Sequence, residues 1–180
     1  DHLQSERDRE IALVEQFSFE LPQLGLHLKA DETAMKIIRA QLYIEHVLSG
    51  IVGDALIDPS AVDLNKLGFG TKLGLAIGLG ILPKTLRPVV VRINDLRNEM
   101  SHSLIFSMPE MEKDRLWHLL PNELREATLD QEVQTTPEKV TLSRIFISLV
   151  IFMDVCRQRA AAFRIDRKYA AINLGRIIDK

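Results

Sequence analysis

The sequence predicts an all-helical fold, and two observations carry this prediction. No segment alternates apolar and polar residues with the period of two that marks a half-buried strand. Apolar residues recur instead at spacings of three and four, as on one face of a helix. The chain has 180 residues, of which 46% are hydrophobic, so it is long enough to bury a core as one domain. We therefore expect a single soluble all-α domain.

The first two predicted helices are defined by their ends. A short helix is expected over residues 6–17, before Pro22. A longer helix is expected from Asp31, a good N-terminal cap, to about Leu56, because Asp58-Pro59-Ser60 then breaks the pattern. The apolar residues of the longer helix keep the helical spacing: Ala34, Ile37, Ile38, Leu42, Val47, Leu48, Ile51, Val52 and Ala55.

Residues 68–80 contain five glycines. They lack the Gly-x4-Gly-Lys-Ser/Thr order of a phosphate-binding loop, and no strand leads into them, so we interpret them as a short helix. Gly74 and Gly78 lie one turn apart, where missing side chains would let another helix approach closely. Gly80 is expected to end this helix, because glycine is the common residue just past a helix terminus.

The next predicted helix covers residues 84–103. Pro88 falls in its first turn, where a missing N–H costs little. One face of this helix is apolar: Leu86, Val89, Val90, Ile93, Leu96 and Met100.

Residues 109–138 are predicted to be a polar loop with one short helix over 115–120. Thr136-Pro137-Glu138 then has the cap, the proline and the acid that are typical of a helix start. The last helix is apolar on nearly all sides over residues 145–156. We expect such a segment to be buried centrally or to lie against a second chain.

The net charge of −2 hides an acidic segment and a basic segment whose charges largely cancel. Residues 109–138 carry eight acids and three bases, whereas residues 157–180 carry seven Lys or Arg and two Asp. The charge excludes a uniformly basic nucleic-acid coat, but it leaves room for a local phosphate site. No targeting segment or membrane span is recognisable, so we expect the cytoplasm.

Cysteine and histidine usage argues against common metal and redox sites. Cys156 is the single cysteine, which excludes a disulfide within the chain and a cysteine-based zinc module. We interpret it as a small buried hydrophobic residue. The five histidines show no metal-ligand spacing, and no nucleophile elbow accompanies them. We expect no cofactor.

A polar cluster at residues 94–103 ends the helix of residues 84–103. Helical geometry places Arg97 within the apolar stripe, where a guanidinium needs a partner or a polar cavity. Asn98 and His102 share a different face, and a loosened helix end would let His102 approach Arg97. Such a set suits a phosphate, with Arg97 as a charge clamp, His102 as a proton carrier and Asn98 as a donor.

Arg97-Asn98-x3-His102 resembles the Arg-x4–6-His signature of the HEPN superfamily. The context is similar to the mannitol operon repressor branch: the glycine-rich segment 65–82, the helix that ends at His102, and Tyr43-Ile44-Glu45-His46-Val47-Leu48 in an earlier helix. The resemblance covers about residues 31–105. It implies an up-and-down bundle of about four to five helices that forms a homodimer, with two Arg/His motifs near each other across the interface.

For catalytic members, the resemblance implies metal-independent RNA cleavage in which the ribose 2′-OH attacks the adjacent phosphate. His102 would then assist proton transfer, Arg97 would stabilise charge on phosphorus and Asn98 would position the substrate. The basic C-terminal region adds Arg157, Arg159 and Arg164 as candidate RNA contacts. The carboxylate of Glu99 would repel a phosphate here unless it points away.

The resemblance also allows a second function. The branch most similar to this chain is associated with regulation, which predicts a non-catalytic module that acts through protein–protein contacts. The expected partner is therefore RNA or a regulatory protein. We expect no membrane partner, and no direct DNA reading, since no helix-turn-helix with a basic second helix is recognisable.

The predicted organisation has three parts. An N-terminal arm over residues 1–30 packs on the bundle. Residues 31–165 form the HEPN-like helical domain, with an acidic loop over residues 109–136. Residues 166–180 form a basic C-terminal tail.

Overall fold

The computed structural model describes residues 2–29, 32–102, 107–109, 111–130 and 140–178. Most of the described residues are helical, and no strand occurs among them. The predicted all-α fold is confirmed, but the expected four to five helices are too few. Eight α-helices occur in the described ranges: α1 His2–Val14, α2 Leu21–Leu28, α3 Thr33–Ala55, α4 Phe69–Gly78, α5 Arg87–Ser101, α6 Glu112–Leu119, α7 Asn122–Asp130 and α8 Leu142–Ile178.

Helix α3 lies at the centre of the fold. It packs against α2, α4, α5 and α8, and its bounds agree with the helix predicted over residues 31–56. Asp31, the predicted cap, lies outside the described residues. The break after α3 is confirmed, since Asp58 caps a 3-10 turn by accepting from the backbone N–H of Ser60. The buried residues of α3 follow the helical period: Ile37, Ala40, Gln41, Ile44, Val47, Leu48, Ile51 and Val52.

Helix α4 forms within the glycine-rich segment and ends as predicted. Gly80 has a φ of 71°, a left-handed conformation that favours glycine, and the N–H groups of Ile81 and Leu82 bond to the Ala76 carbonyl. The predicted close approach at Gly74 and Gly78 is wrong within this chain. A Cβ atom built at either position meets nothing within 4 Å.

The close approach occurs at Gly50 of α3 instead. A Cβ atom there would lie 3.2 Å from Cδ of Arg157 on α8. The missing side chain of Gly50 therefore makes room for a buried arginine.

Helix α5 follows a 3-10 turn, Lys84–Leu86, and Pro88 lies in its first turn as predicted. The segment after α5 contains more helix than expected. In place of one short helix in a polar loop, α6 and α7 both form, and each buries apolar side chains among its charged ones, such as Leu116 and Leu124. The predicted helix start at residues 136–138 lies outside the described residues.

Helix α8 has 37 residues and is about 55 Å long at 1.5 Å per residue. Its apolar part is buried in the chain's own core, through Ile145, Phe146, Leu149, Val150 and Met153. Residues 166–178 continue the same helix. Helix α1 packs against α8 and is tied to this extension by three polar contacts: Arg7–Asp166, Glu10–Lys168 and Glu10–Tyr169.

No helix in the described ranges combines the length and apolar character that crossing a membrane requires.

Candidate functional site

The Arg/His motif lies on the surface at the C-terminal end of α5. The side chains of Arg97, Asn98 and His102 are all exposed. Nη1 of Arg97 donates to Oδ1 of Asn98 at 3.2 Å, and the Ser101 hydroxyl donates to the Arg97 carbonyl at 3.0 Å. His102 is the C-terminal cap, and its backbone N–H reaches the Glu99 carbonyl at 3.3 Å. The structure thus joins Arg97 to Asn98, and among the described residues no hydrogen bond joins the His102 ring to either.

Arg97 does not lie in a buried stripe, so this part of the sequence prediction is wrong. Its neighbours on the stripe, Ile93 and Leu96, are fully buried, whereas Arg97 is exposed. The position on the helix fixes the direction of the Cα–Cβ bond only. The long aliphatic stem of an arginine lets the guanidinium reach water from a position beside the apolar face. The guanidinium is therefore available to an external anion.

Arg92, which the sequence did not indicate as a site residue, binds two carboxylates beside the motif. Its guanidinium contacts Glu112 of α6 through two hydrogen bonds, Nε–Oε1 at 2.7 Å and Nη2–Oε2 at 2.8 Å. Nη1 of the same guanidinium donates to Oε1 of Glu99 at 2.7 Å. The hydrogen bonds from Arg92 hold the pKa of Glu112 below its usual range.

The carboxylate of Glu99 is bound to Arg92, two helical turns earlier. Arg92 binds Glu112 as well, so its single positive charge is shared between two carboxylates. The spacing of seven residues between Arg92 and Glu99 places both on one helix face, so sequence spacing could have indicated the pair.

Arg157 lies in the core, where it cannot serve as the predicted RNA contact. Its guanidinium donates to Asp154 Oδ1 at 2.7 Å, Asp54 Oδ2 at 2.9 Å and the Gln16 carbonyl at 2.7 Å. Arg157 is 7% exposed and Asp154 is fully buried. An RNA phosphate would have to displace these carboxylates, so Arg157 joins α8, α3 and the segment after α1 instead.

Arg159 and Arg164, the other two predicted RNA contacts, are exposed. They line a surface groove of about 550 Å³ between α8 and the C-terminal ends of α3 and α4. We call it the basic groove, and its lining residues are Ala55, Leu79, Gly80, Ile81, Cys156, Arg159, Ala160, Phe163, Arg164 and Arg167.

The basic groove is lined by none of the motif residues Arg97, Asn98 and His102. Gly80 and Ile81 of the groove come shortly before α5, whereas His102 follows its last residue. Helix α5 has 15 residues, which places about 22 Å between its two ends. The structure therefore does not bring Arg159 and Arg164 to the motif within a single chain.

The described residues contain no group of three or more His, Cys, Asp or Glu side chains that could hold a metal ion. Comparisons with protein-family models, with curated proteins and with solved structures find no match to this chain.

Proposed function

We propose that this chain is a metal-independent endoribonuclease of the HEPN type that its sequence resembles, with Arg97, Asn98 and His102 as the reacting set. One observation carries the proposal. Arg97 and His102 are exposed together at the end of α5, while the adjacent carboxylate of Glu99 is bound to Arg92. The hydrogen bond to Arg92 draws the Glu99 carboxylate towards Arg92, which reduces its repulsion of a phosphate at Arg97.

The chemistry follows from what each side chain can do. The ribose 2′-oxygen forms a bond to the adjacent phosphorus, and the bond from phosphorus to the 5′-oxygen breaks. The Arg97 guanidinium holds two phosphate oxygens and stabilises their growing charge. Asn98, hydrogen-bonded to Arg97 through its carbonyl oxygen, keeps its amide N–H groups for the substrate. The products are a 2′,3′-cyclic phosphate and a 5′-hydroxyl.

The reaction needs two proton transfers, which argues for a dimer. A base must take the proton of the 2′-OH, and an acid must give a proton to the leaving 5′-oxygen. One motif supplies one imidazole, His102, and an imidazole can perform either role near neutral pH. We propose that two chains pair so that two copies of His102 face one phosphate.

The proposal is tested by incubating labelled single-stranded RNA with the protein in EDTA. We expect cleavage by the wild type and a loss of about a hundredfold or more for His102→Ala, the scale of general acid–base catalysis. His118→Ala is the matched control, because His118 is an exposed histidine on α6. Equal loss in both variants would contradict the assignment of His102.

A second candidate function is the non-catalytic regulator that acts through protein–protein contacts. Its support is the basic groove, where Leu79 is 54% exposed and Phe163 is 63% exposed. Two large apolar side chains left uncovered beside arginines are typical of a surface that another protein covers. A wild type that binds a protein partner and leaves RNA intact would favour this function.

A further inference from the structure

The basic groove combines an apolar floor with a positive rim. Seven of its ten lining residues carry no charge, and the three that do are Arg159, Arg164 and Arg167. No Asp or Glu lines it. We call the uncharged lining residues the floor of the groove and the three arginines its rim, so the floor offers apolar contact and the rim only positive charge.

The three rim arginines are not neutralised within the described part of the chain. No carboxylate there pairs with Arg159 or Arg164, and Arg167 lies over the Phe163 ring at 5.9 Å from its centroid. The nearby acids are engaged elsewhere, since Asp166 binds Arg7 and Asp54 binds Arg157. Like charges crowded on one edge repel each other, so an anion placed between them is stabilised.

The shape of the groove fits a helix. Its residues on α8 run from Cys156 to Arg167 at spacings of three and four, which is one helix face about 16 Å long. A second helix of about three turns has the same length. Leu79 and Phe163 stand largely in water, so the groove is an open surface and not an enclosed small-molecule cavity.

We propose that the basic groove docks an acidic amphipathic helix of a partner protein. The apolar face of that helix would cover Leu79, Ile81 and Phe163, and carboxylates on its flanks would bind Arg159, Arg164 and Arg167. A bare RNA backbone would satisfy the arginines but would leave the apolar floor in water. The apolar floor therefore favours a protein helix over RNA as the occupant.

This inference deepens the second candidate function, because it gives the regulator a docking site and a class of partner. Its test does not depend on RNA cleavage. Since Arg159 and Arg164 are also the proposed RNA contacts, a docked helix and RNA would compete for them.

The test measures binding of three fluorescein-labelled synthetic peptides of 14 residues by anisotropy. The first has leucine or phenylalanine at positions 1, 4, 5, 8 and 12 of a helix and glutamate at most others. The second keeps the apolar positions but replaces glutamate by lysine. The third has the composition of the first in scrambled order. We expect the acidic amphipathic peptide to bind at least about tenfold more tightly than either control.

Protein variants then place the binding in the groove. R159Q/R164Q should weaken binding of the acidic peptide about tenfold or more, and Phe163→Ala should weaken its binding as well. R115Q/R125Q is the matched control, because it removes two positive charges from α6 and α7 and should leave binding unchanged. All five side chains are exposed or half-buried, so the variants are expected to fold, which circular dichroism checks.

Other outcomes overturn the proposal. If the scrambled or the lysine peptide binds equally well, or if R159Q/R164Q binds like the wild type, no acidic helix docks in the groove. If R159Q/R164Q weakens binding of labelled single-stranded RNA and no peptide binds to the wild type, the rim is a phosphate site. If Phe163→Ala dissociates a wild-type dimer in sedimentation and no peptide binds, the occupant is a second copy of the chain.

Discussion

Nη1 of Arg92 and Oε1 of Glu99 are hydrogen-bonded at 2.7 Å across two turns of α5. The same guanidinium binds both carboxylate oxygens of Glu112 on α6. One side chain thus fastens α6 to α5 and binds the acid that follows Asn98 of the Arg/His motif. The proposed phosphate site benefits from this contact, because the exposed Arg97 and His102 lie beside a carboxylate that is already hydrogen-bonded.

The two carboxylates bound to Arg92 are expected to differ in their contribution to stability. Glu112→Gln should lower the free energy of unfolding by about 1.5–3 kcal/mol, because Glu112 is 4% exposed and its charge is hydrogen-bonded. Glu99→Gln should cost less than about 1 kcal/mol, since the Glu99 side chain is 52% exposed. Urea unfolding of both variants measures the difference, and equal losses would contradict this ranking.

Arg157 is expected to stabilise the fold strongly, because it compensates the fully buried charge of Asp154. Arg157→Ala should cost about 3–5 kcal/mol, the usual result when one partner of a buried ion pair is removed. Arg159→Ala, two residues away and exposed, should change stability by no more than about 0.5 kcal/mol. Chemical denaturation compares the pair, and a small effect of Arg157→Ala would show that the network contributes little.

Two glycine-to-alanine substitutions should change the free energy of unfolding in opposite directions. Gly74→Ala should raise the free energy of unfolding by about 0.5–1 kcal/mol, because a Cβ atom meets nothing within 4 Å and alanine favours helix. Gly50→Ala should lower it, because the new Cβ would press on Cδ of Arg157, which three hydrogen-bond partners hold in place. Thermal unfolding measures both changes. A stabilising Gly50→Ala would indicate that Arg157 moves freely.

Stability should fall in acid because two buried carboxylates are charged in the folded state. Burial alone raises the pKa of Asp154, but hydrogen bonds from Arg157 and Ser18 outweigh it and bring the pKa below its usual value. Arg92 lowers the pKa of Glu112. A carboxylate whose pKa is lower in the folded state than in the unfolded chain stabilises the fold at pH values above its unfolded-state pKa, about 4. This stabilisation is lost as the pH falls through the folded-state pKa.

Denaturation between pH 7 and pH 2 tests the acid prediction. The wild type should lose stability below about pH 4, and Asp154→Asn should be less stable at pH 7 but show a shallower loss in acid. An identical pH profile for both proteins would remove Asp154 as the cause.

Local patterns were enough to predict some elements but not others. The helix over residues 31–56 could be predicted because α3 is long and buries one regular face. Helix α7 was missed because its nine residues are mostly polar, and the few apolar ones show their burial only in the tertiary fold. The glycine spacing in α4 predicted a close neighbour, but no described residue comes within 4 Å of a Cβ atom built there, because spacing alone does not fix what a helix packs against.

The sequence located the candidate residues at the C-terminal end of α5 but did not predict their exposure or the charges around them. The motif could be found from the order Arg97-Asn98-x3-His102, and the structure places it on the surface. The burial of Arg157 could not be foreseen, because two of its partners, Asp54 and Gln16, lie 103 and 141 residues away in sequence. The sequence of a basic segment alone predicts an exposed segment. Only the long-range contacts show which of its arginines are buried.

The chemical ends of the RNA products show whether the Arg97–His102 motif cleaves RNA. Mass spectrometry of an RNA treated with the wild type in EDTA should find fragments that carry a 2′,3′-cyclic phosphate. These fragments should fall about a hundredfold or more with His102→Ala and persist with His118→Ala. If the wild type leaves the RNA intact, or if His102→Ala yields the same amount of cyclic phosphate, the proposed role of the Arg97–His102 motif is wrong.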